Sequence, residues 1–145
     1  MSRREHHGLT DIRKAALKRL MDARAVLRAG RNHTRAACYL GGYAIECRLK
    51  AIAMEVFGCQ TLEQLIEKRK FTDQDIYHHG LDALARELPL YSSLQRSDVW
   101  RDFAGPVNSW RVSWRYDPWN LPPEAAQTFL EAVGRVCAWI DSNRC

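Results

Sequence analysis

The stretch Ala36–Gly58, AACYLGGYAIECRLKAIAMEVFG, decides the fold of this 145-residue chain. Its apolar residues recur every three or four positions along two separate seams, a spacing that aligns side chains on a helix. One seam comprises Ala36, Leu40, Tyr43, Cys47, Ala51 and Met54, and the other comprises Ile45, Leu49, Ile52 and Val56. A helix that is apolar on two sides needs neighbours on both, so we expect this stretch to be the central helix of a bundle.

Two adjacent glycines, Gly41 and Gly42, lie inside this predicted helix. Glycine in a helix interior costs about 1 kcal/mol relative to alanine. Such a cost is tolerated where another part of the protein approaches the backbone closely. We therefore expect a neighbouring element to contact the helix at this pair.

A first helix is predicted to begin after Thr10 or Asp11, either of which could cap it, and to stop at Gly30. Residues 1–9 are expected to form a flexible tail. The predicted buried stripe of this helix consists of Ile12, Ala16, Leu20, Ala23 and Leu27, whereas the rest of its surface is strongly basic.

Further helices are predicted beyond the central one. Thr61 can cap a short helix to about Lys70, and a second runs over Gly80–Leu88. The segment Tyr91–Tyr116 has helical apolar spacing that Gly105-Pro106 should kink or break, and a last helix follows Pro122-Pro123. The chain lacks a period-two strand pattern. We predict one all-α domain over residues 1–145, an up-and-down bundle of four to five helices.

The basic composition is compatible with an anionic partner but does not require one. The net charge is +5, and Arg supplies 17 of the 22 basic residues, a bias that suits planar contacts with phosphate or carboxylate. Solvation of an ordinary surface explains the excess equally well.

The cysteines and the N-terminus indicate the compartment. Five cysteines without a C-x-x-C pair argue against a disulfide framework or a zinc site. The sequence begins without a signal-peptide pattern and contains no apolar run of about 18 residues. We expect a cytoplasmic protein that has no membrane partner, metal or cofactor.

Three segments in order, YLGGYAIECRLKA at Tyr39–Ala51, HHGLDALARELP at His78–Pro89 and WRVSWRYDP at Trp110–Pro118, resemble the HEPN (higher eukaryotes and prokaryotes nucleotide-binding) family. Its members typically show a G-Y-A-x-E-x-x-L-K-A helix, a T-H-x-L-x-x-L segment and a tryptophan-containing segment ending in Arg-Tyr. The resemblance spans the chain from the first helix to the last. It implies a helical bundle, commonly a homodimer, that is often paired with a minimal nucleotidyltransferase in two-component or toxin-antitoxin systems.

One branch of that family consists of ribonucleases whose signature is Arg, four to six residues, then His. The Arg would hold the scissile phosphate while the His moves a proton. The corresponding segment here, Arg115–Leu121, contains no His. A formal match at Arg28 and His33 is uninformative, because about two such matches are expected by chance in a chain this rich in Arg.

The resemblance implies five candidate ligand-binding residues: Glu46, Lys50, His79, Arg115 and Tyr116. Each also has a structural interpretation. Glu46 and Lys50 are four residues apart and could form a buried ion pair. His79 could start the next helix, with His78 where the family usually has Thr. Arg115 could bond helix-end carbonyls, and Trp100, Trp110 and Trp114 could be core or dimer-interface residues.

A separate, weaker signal lies at the start of the central helix. His33 stands between Arg31 and Arg35, where an anion could meet both cations and free backbone N–H groups.

Two functional hypotheses follow. The first is a non-catalytic HEPN-type module that binds a nucleotide, RNA or a nucleotidyltransferase partner. The second is a metal-independent, toxin-type endoribonuclease whose active site departs from the family's Arg-then-His signature. In such a site His79 could, for example, be brought close to Arg115 by the fold. The absent His favours the first.

Overall fold

The computed structural model of this chain describes residues 8–68, 70–72 and 80–143. Three long helices dominate it: α1 (Leu9–Arg28), α2 (Thr34–Val56) and α7 (Pro123–Ser142). The shorter helices are α3 (Leu62–Glu67), α4 (Leu81–Arg86), α5 (Tyr91–Gln95) and α6 (Trp100–Ala104), with 3₁₀ turns η1 (Arg31–His33), η2 (Val107–Ser109) and η3 (Val112–Tyr116). Secondary structure in the described ranges is helical apart from one isolated bridge between Gly8 and Thr61, so the prediction of an all-α bundle is confirmed.

Specific contacts fix the directions of the long helices. Arg13, near the start of α1, pairs with Glu55 at the end of α2, so these two helices are antiparallel. The α7 helix runs parallel to α2, since Leu130 lies at Gly41 and Asp141 lies at Arg48. The short helices α4–α6 and turns η2 and η3 lead back along α2 to its N-terminal end, completing the fourth limb of an up-and-down bundle.

The central helix packs on both sides, as its two seams predict. Sixteen of the 23 residues of α2 are buried, and α1, α7, α4 and η3 all pack against it. Both seams reach solvent at their ends: Ala36 is exposed in the first turn of α2, and Val56 is 45 % exposed in the last. The buried stripe of α1 is also where it was predicted, with Ile12, Ala16 and Ala23 buried and Leu20 and Leu27 packed against the core.

The glycine pair lies where neighbouring side chains come closest to α2. A Cβ atom on Gly41 would lie 2.5 Å from Leu130 Cδ2, and a Cβ on Gly42 would overlap the indole ring of Trp110. Trp110 is fully buried and donates from Nε1 to the carbonyl oxygen of Tyr39, 3.0 Å away. The predicted close approach is confirmed, and the approaching groups are a side chain of α7 and the tryptophan before η3.

Some of the helix ends were predicted correctly and others were not. Thr61 caps α3 as expected, since its hydroxyl accepts from Gln64 N at 3.3 Å, and α7 begins at Pro123. The expected cap of α1 by Thr10 or Asp11 was wrong. The helix begins at Leu9, whose N–H donates to the carbonyl oxygen of Gln60 at 3.0 Å, so backbone following α2 supplies the acceptor instead of a side chain. The segment 91–116 is four short helical pieces, broken at Gly105-Pro106 and at two further points.

Candidate functional site

The N-terminal end of α2 is held by the segment that follows η3. Arg35 Nε donates to the carbonyl oxygen of Trp119 at 2.9 Å, and its guanidinium lies 3.5 Å from a carboxylate oxygen of Asp117. The same guanidinium stands over the ring of Trp114, 5.0 Å from the centroid, in cation–π geometry. Its backbone N–H donates to Asn120 Oδ1 at 3.3 Å, so a residue 85 positions away satisfies one N–H of the first helical turn.

Two clefts open on either side of this junction, and Arg35 and Trp114 form the wall between them. One, of about 390 Å³, is bordered by His33, Tyr39 and Asn120. The other, of about 470 Å³, is bordered by Ser109, Leu121 and Phe129. Polar or charged residues make up about half of the lining residues of each cleft, and apolar and aromatic residues make up the rest.

Large aromatic side chains stand out from the same junction. Trp119 is 76 % exposed and Tyr116 is 75 % exposed, although tryptophan and tyrosine usually bury most of their surface. Three basic residues of nearby segments are also exposed: Arg31 and His33 in the turn η1 before α2, and Arg111 just before η3. Arg111 Nη1 donates to the carbonyl oxygens of Asn108 and Trp110, at 2.6 and 2.7 Å. We call the set His33, Arg35, Trp114, Tyr116 and Trp119 the Arg35 surface.

Glu46 and Lys50 form the ion pair that their spacing predicts. Lys50 Nζ lies 2.8 Å from Glu46 Oε1, and both side chains are about nine-tenths buried, with 10 % and 12 % of their surface exposed. The surroundings of the pair are also polar. The pKa of the neighbouring Tyr43 is raised chiefly by burial and further by the Cys47 and Glu46 side chains, whereas the positive charge of Arg19 lowers it. A structural i,i+4 ion pair within α2, enclosed by the packing of that helix, accounts for this geometry.

The predicted site residues therefore do not form one cluster among the described contacts. Glu46 lies eleven residues beyond Arg35 on the same helix, a rise of about 17 Å. Tyr116 and the backbone of Arg115 belong to η3, which packs on α2, whereas the side chain of Arg115 and the whole of His79 lie outside the described residues. Gly80, which follows His79, lies beside the guanidinium of Arg111, 3.1 Å from the position of an added Cβ.

Two residues that organise this region, Arg35 and Trp119, were not predicted as site residues from the sequence. Arg35 was noted only as a neighbour of His33, and Trp119 not at all. The available signal was the density of aromatic and basic residues in WRVSWRYDPW at 110–119. Their partnership with α2 spans more than 80 positions of sequence, so no local spacing could reveal it.

The cysteines of the core lack the properties of nucleophiles. Cys38, Cys47, Cys59 and Cys137 are free and buried. Burial raises the pKa of the Cys47 thiol to about 12, and of Cys38 and Cys137 to about 11. The thiols of Cys38, Cys47 and Cys137 therefore stay protonated at neutral pH and are unsuited to nucleophilic attack.

This burial predicts a stability that falls at alkaline pH. Unfolded thiols ionise near pH 8.5, whereas the folded ones hold their protons to about pH 11 to 12. The unfolded state therefore releases protons first, and stability is lost as pH rises through this window. We expect the melting temperature to fall between pH 8.5 and 11, less steeply for Cys47→Ser than for the wild type. Parallel curves for the two proteins would contradict this assignment.

Within the described ranges, no cluster of His, Cys, Asp and Glu has the arrangement of a metal site. Those ranges likewise contain no helix with the length and apolarity needed to cross a bilayer. Comparison with family models, curated proteins and solved structures found no match to this chain.

Proposed function

We propose that this chain is a non-catalytic, HEPN-type binding module whose Arg35 surface binds a nucleotide or single-stranded RNA, as the helical component of a two-component system with a minimal nucleotidyltransferase. The observation that carries the ligand class is the pair of aromatic side chains, Tyr116 and Trp119, exposed in the segment whose backbone accepts a hydrogen bond from Arg35. Bases stack on such rings without regard to sequence, and nearby Arg residues contact the phosphates. The resemblance of three segments to the HEPN family supports the same class.

The arginines of the Arg35 surface and of the segments next to it have two roles in this proposal. Arg35 is held by Asp117, by the carbonyl oxygen of Trp119 and by the ring of Trp114, so it positions the aromatic segment. Arg31 and Arg111 are exposed, and no carboxylate within the described ranges pairs with them. These two, together with Arg115 from the resemblance, are the proposed phosphate contacts. Glu46 and Lys50 stabilise α2 at a distance from the Arg35 surface, eleven and fifteen residues further along the helix than Arg35.

Replacing Trp119 by alanine should weaken binding of a fluorescein-labelled, mixed-sequence single-stranded RNA about tenfold, because stacking of one base contributes about 1 to 3 kcal/mol. The melting temperature should stay unchanged, since the ring is mostly in solvent. Fluorescence anisotropy at several salt concentrations measures the affinity, and the wild-type affinity should fall as salt rises. Met21→Ala is the matched control, an exposed apolar side chain on α1, 68 % exposed, whose removal should leave RNA affinity unchanged. An affinity independent of Trp119 and of salt would refute the proposal.

A protein interface is the second candidate for the same residues, because exposed tryptophan and tyrosine are also typical anchors of protein contacts. Sedimentation measurements separate the two. If Trp119→Ala converts a dimer to a monomer and leaves RNA affinity intact, the surface is a homodimer contact and not a nucleic-acid site.

The ribonuclease hypothesis is tested in the same reactions. Incubating the protein with RNA in EDTA should yield no cleavage under the proposal. Cleavage that disappears in both Arg115→Ala and His79→Ala would instead establish a ribonuclease active site formed by these two residues, one that departs from the family signature.

A further inference from the structure

An exposed stripe along α1 is unrelated to the Arg35 surface. Leu17, Met21, Arg24 and Arg28 follow each other at intervals of four, three and four residues, which places them on one face of the helix. Leu17 is 61 % exposed and Met21 is 68 % exposed. This face lies away from Ile12, Ala16 and Ala23, which contact the core. The stripe extends about 17 Å along the helix axis.

The basic end of the stripe leads into a groove between α1 and α7. The groove has a volume of about 560 Å³, and its apolar lining residues include Leu27, Leu130 and Ala138. Arg24 and Arg28 line it from α1, and Arg135 lines it from α7. Gly134 leaves space there, since an added Cβ would lie 3.1 Å from Arg24 Nη2.

The cations of α1 fall into two groups: Arg13, Lys18 and Arg19 are paired, whereas Lys14, Arg24 and Arg28 have no ion pair within the described residues. Arg13 pairs with Glu55, and Lys18 and Arg19 both pair with Asp22. Arg24 and Arg28 have no ion pair within residues 8–68, 70–72 and 80–143, whereas Arg135 on the opposite wall is held by two bonds to Asp102 at 2.9 Å. The face therefore presents Leu17 and Met21 between Lys14 at one end and Arg24 and Arg28 at the other, and Glu131 is a carboxylate that lines the groove together with these two arginines.

A second copy of this chain fits the stripe poorly. An antiparallel pairing that set Leu17 against the partner subunit's Met21 would set Arg24 against the partner subunit's Lys14, and a parallel pairing would set Arg24 against the partner subunit's Arg24. Both arrangements bring like charges together at the contact, which opposes association.

We propose that the stripe and groove form a docking site for an amphipathic helix of a partner protein, with an apolar seam against Leu17 and Met21 and carboxylates against Arg24 and Arg28. A helix laid along a groove between two helices is a common mode of peptide recognition, in which apolar side chains at helical spacing provide the anchors. Two arginines at one end of the face, against the single Lys14 at the other, favour the direction of the bound helix that places its carboxylates against Arg24 and Arg28. The site shares no residue with the Arg35 surface, so it stands or fails independently of RNA binding.

A charge-swap experiment tests this proposal. The probe is a fluorescein-labelled synthetic helix with leucine at i, i+4 and glutamate at i+7 and i+11, accompanied by the same peptide with lysine in place of glutamate. The wild type should bind the glutamate peptide at least tenfold more tightly than the lysine peptide. The double variant Arg24→Glu/Arg28→Glu should reverse that preference. Arg96→Glu/Arg101→Glu, which changes the net charge equally at exposed positions outside the groove, should keep the wild-type preference.

The apolar end is tested separately with Leu17→Ser/Met21→Ser, which should lose binding of the glutamate peptide while retaining the wild-type melting temperature. Equal binding of both peptides by the wild type, or an unchanged preference in the Arg24→Glu/Arg28→Glu variant, would overturn the proposal. A wild-type dimer that Leu17→Ser/Met21→Ser converts to monomer would also overturn it, by showing that a second copy occupies the face.

Discussion

Gly42→Ala should lower the free energy of unfolding by about 3 kcal/mol, although alanine is the better helix former by about 1 kcal/mol. The added methyl group would overlap the ring of Trp110, which is fully buried and bonded through Nε1 to the carbonyl oxygen of Tyr39. Relieving that overlap requires the ring to move, and movement loses the hydrogen bond and the packing around it. Urea denaturation should show a lower midpoint with an unchanged m-value.

Two other glycines in long helices serve as matched controls for the same change. In Gly134→Ala the new methyl group meets the end of the flexible Arg24 side chain at 3.1 Å, so the gain in helix propensity should leave stability equal to or above that of the wild type. Gly41→Ala should fall between them, since Leu130 Cδ2 lies 2.5 Å from the new Cβ and a leucine side chain can rotate. A destabilisation of equal size at Gly42 and Gly134 would show that the Trp110 contact is not the cause.

Combining Gly42→Ala with Trp110→Leu isolates the contact itself. Trp110→Leu alone is expected to be destabilising, because it leaves a cavity in the core. In that background the alanine has no ring to meet, so adding it should cost less than 1 kcal/mol. An undiminished cost would place the strain elsewhere in α2.

The prediction that Gly41 and Gly42 are approached closely needed only local information, because glycine inside an apolar helix carries a cost that some contact must offset. The identity of the contact was not predictable. Trp110 lies 68 positions beyond Gly42, and nothing in its own neighbourhood points to α2. The same distinction explains the helix ends: Thr61 and Gln64 are local partners, whereas the acceptor for Leu9 N is the carbonyl oxygen of Gln60, which only the folded chain brings near.

In the candidate site, too, contacts between residues close in sequence were predictable and contacts between distant residues were not. The Glu46–Lys50 pair follows from i,i+4 spacing and was expected. The Arg35 surface depends on Trp114, Asp117, Trp119 and Asn120 meeting the first turn of α2. The sequence shows that this segment is rich in aromatic and basic residues. Their arrangement around one guanidinium depends on the tertiary structure and cannot be predicted from local sequence.

Arg48 is the charged residue of α2 that holds the three long helices together, and it was not singled out from sequence. Its Nε and Nη2 bond to the two carboxylate oxygens of Asp141 on α7, at 3.0 and 3.1 Å. Its Nη1 bonds to the carbonyl oxygen of Ala16 on α1 at 2.6 Å and to that of Ala44 on α2 at 3.1 Å. With only 4 % of its surface exposed, the guanidinium is bonded on every side.

Arg48→Met should therefore lower the free energy of unfolding by about 2 to 3 kcal/mol, the range for losing buried hydrogen bonds to a charged group. Arg48→Lys should recover little of the loss, because an ammonium cannot reproduce the planar fork. Arg135→Met is the matched control: Arg135 makes the same two-bond contact with Asp102, but its side chain is 55 % exposed, so its removal should cost less than about 1 kcal/mol. Chemical denaturation of the three variants measures the difference, and equal losses for Arg48→Met and Arg135→Met would show that burial is not what gives the Arg48 contacts their strength.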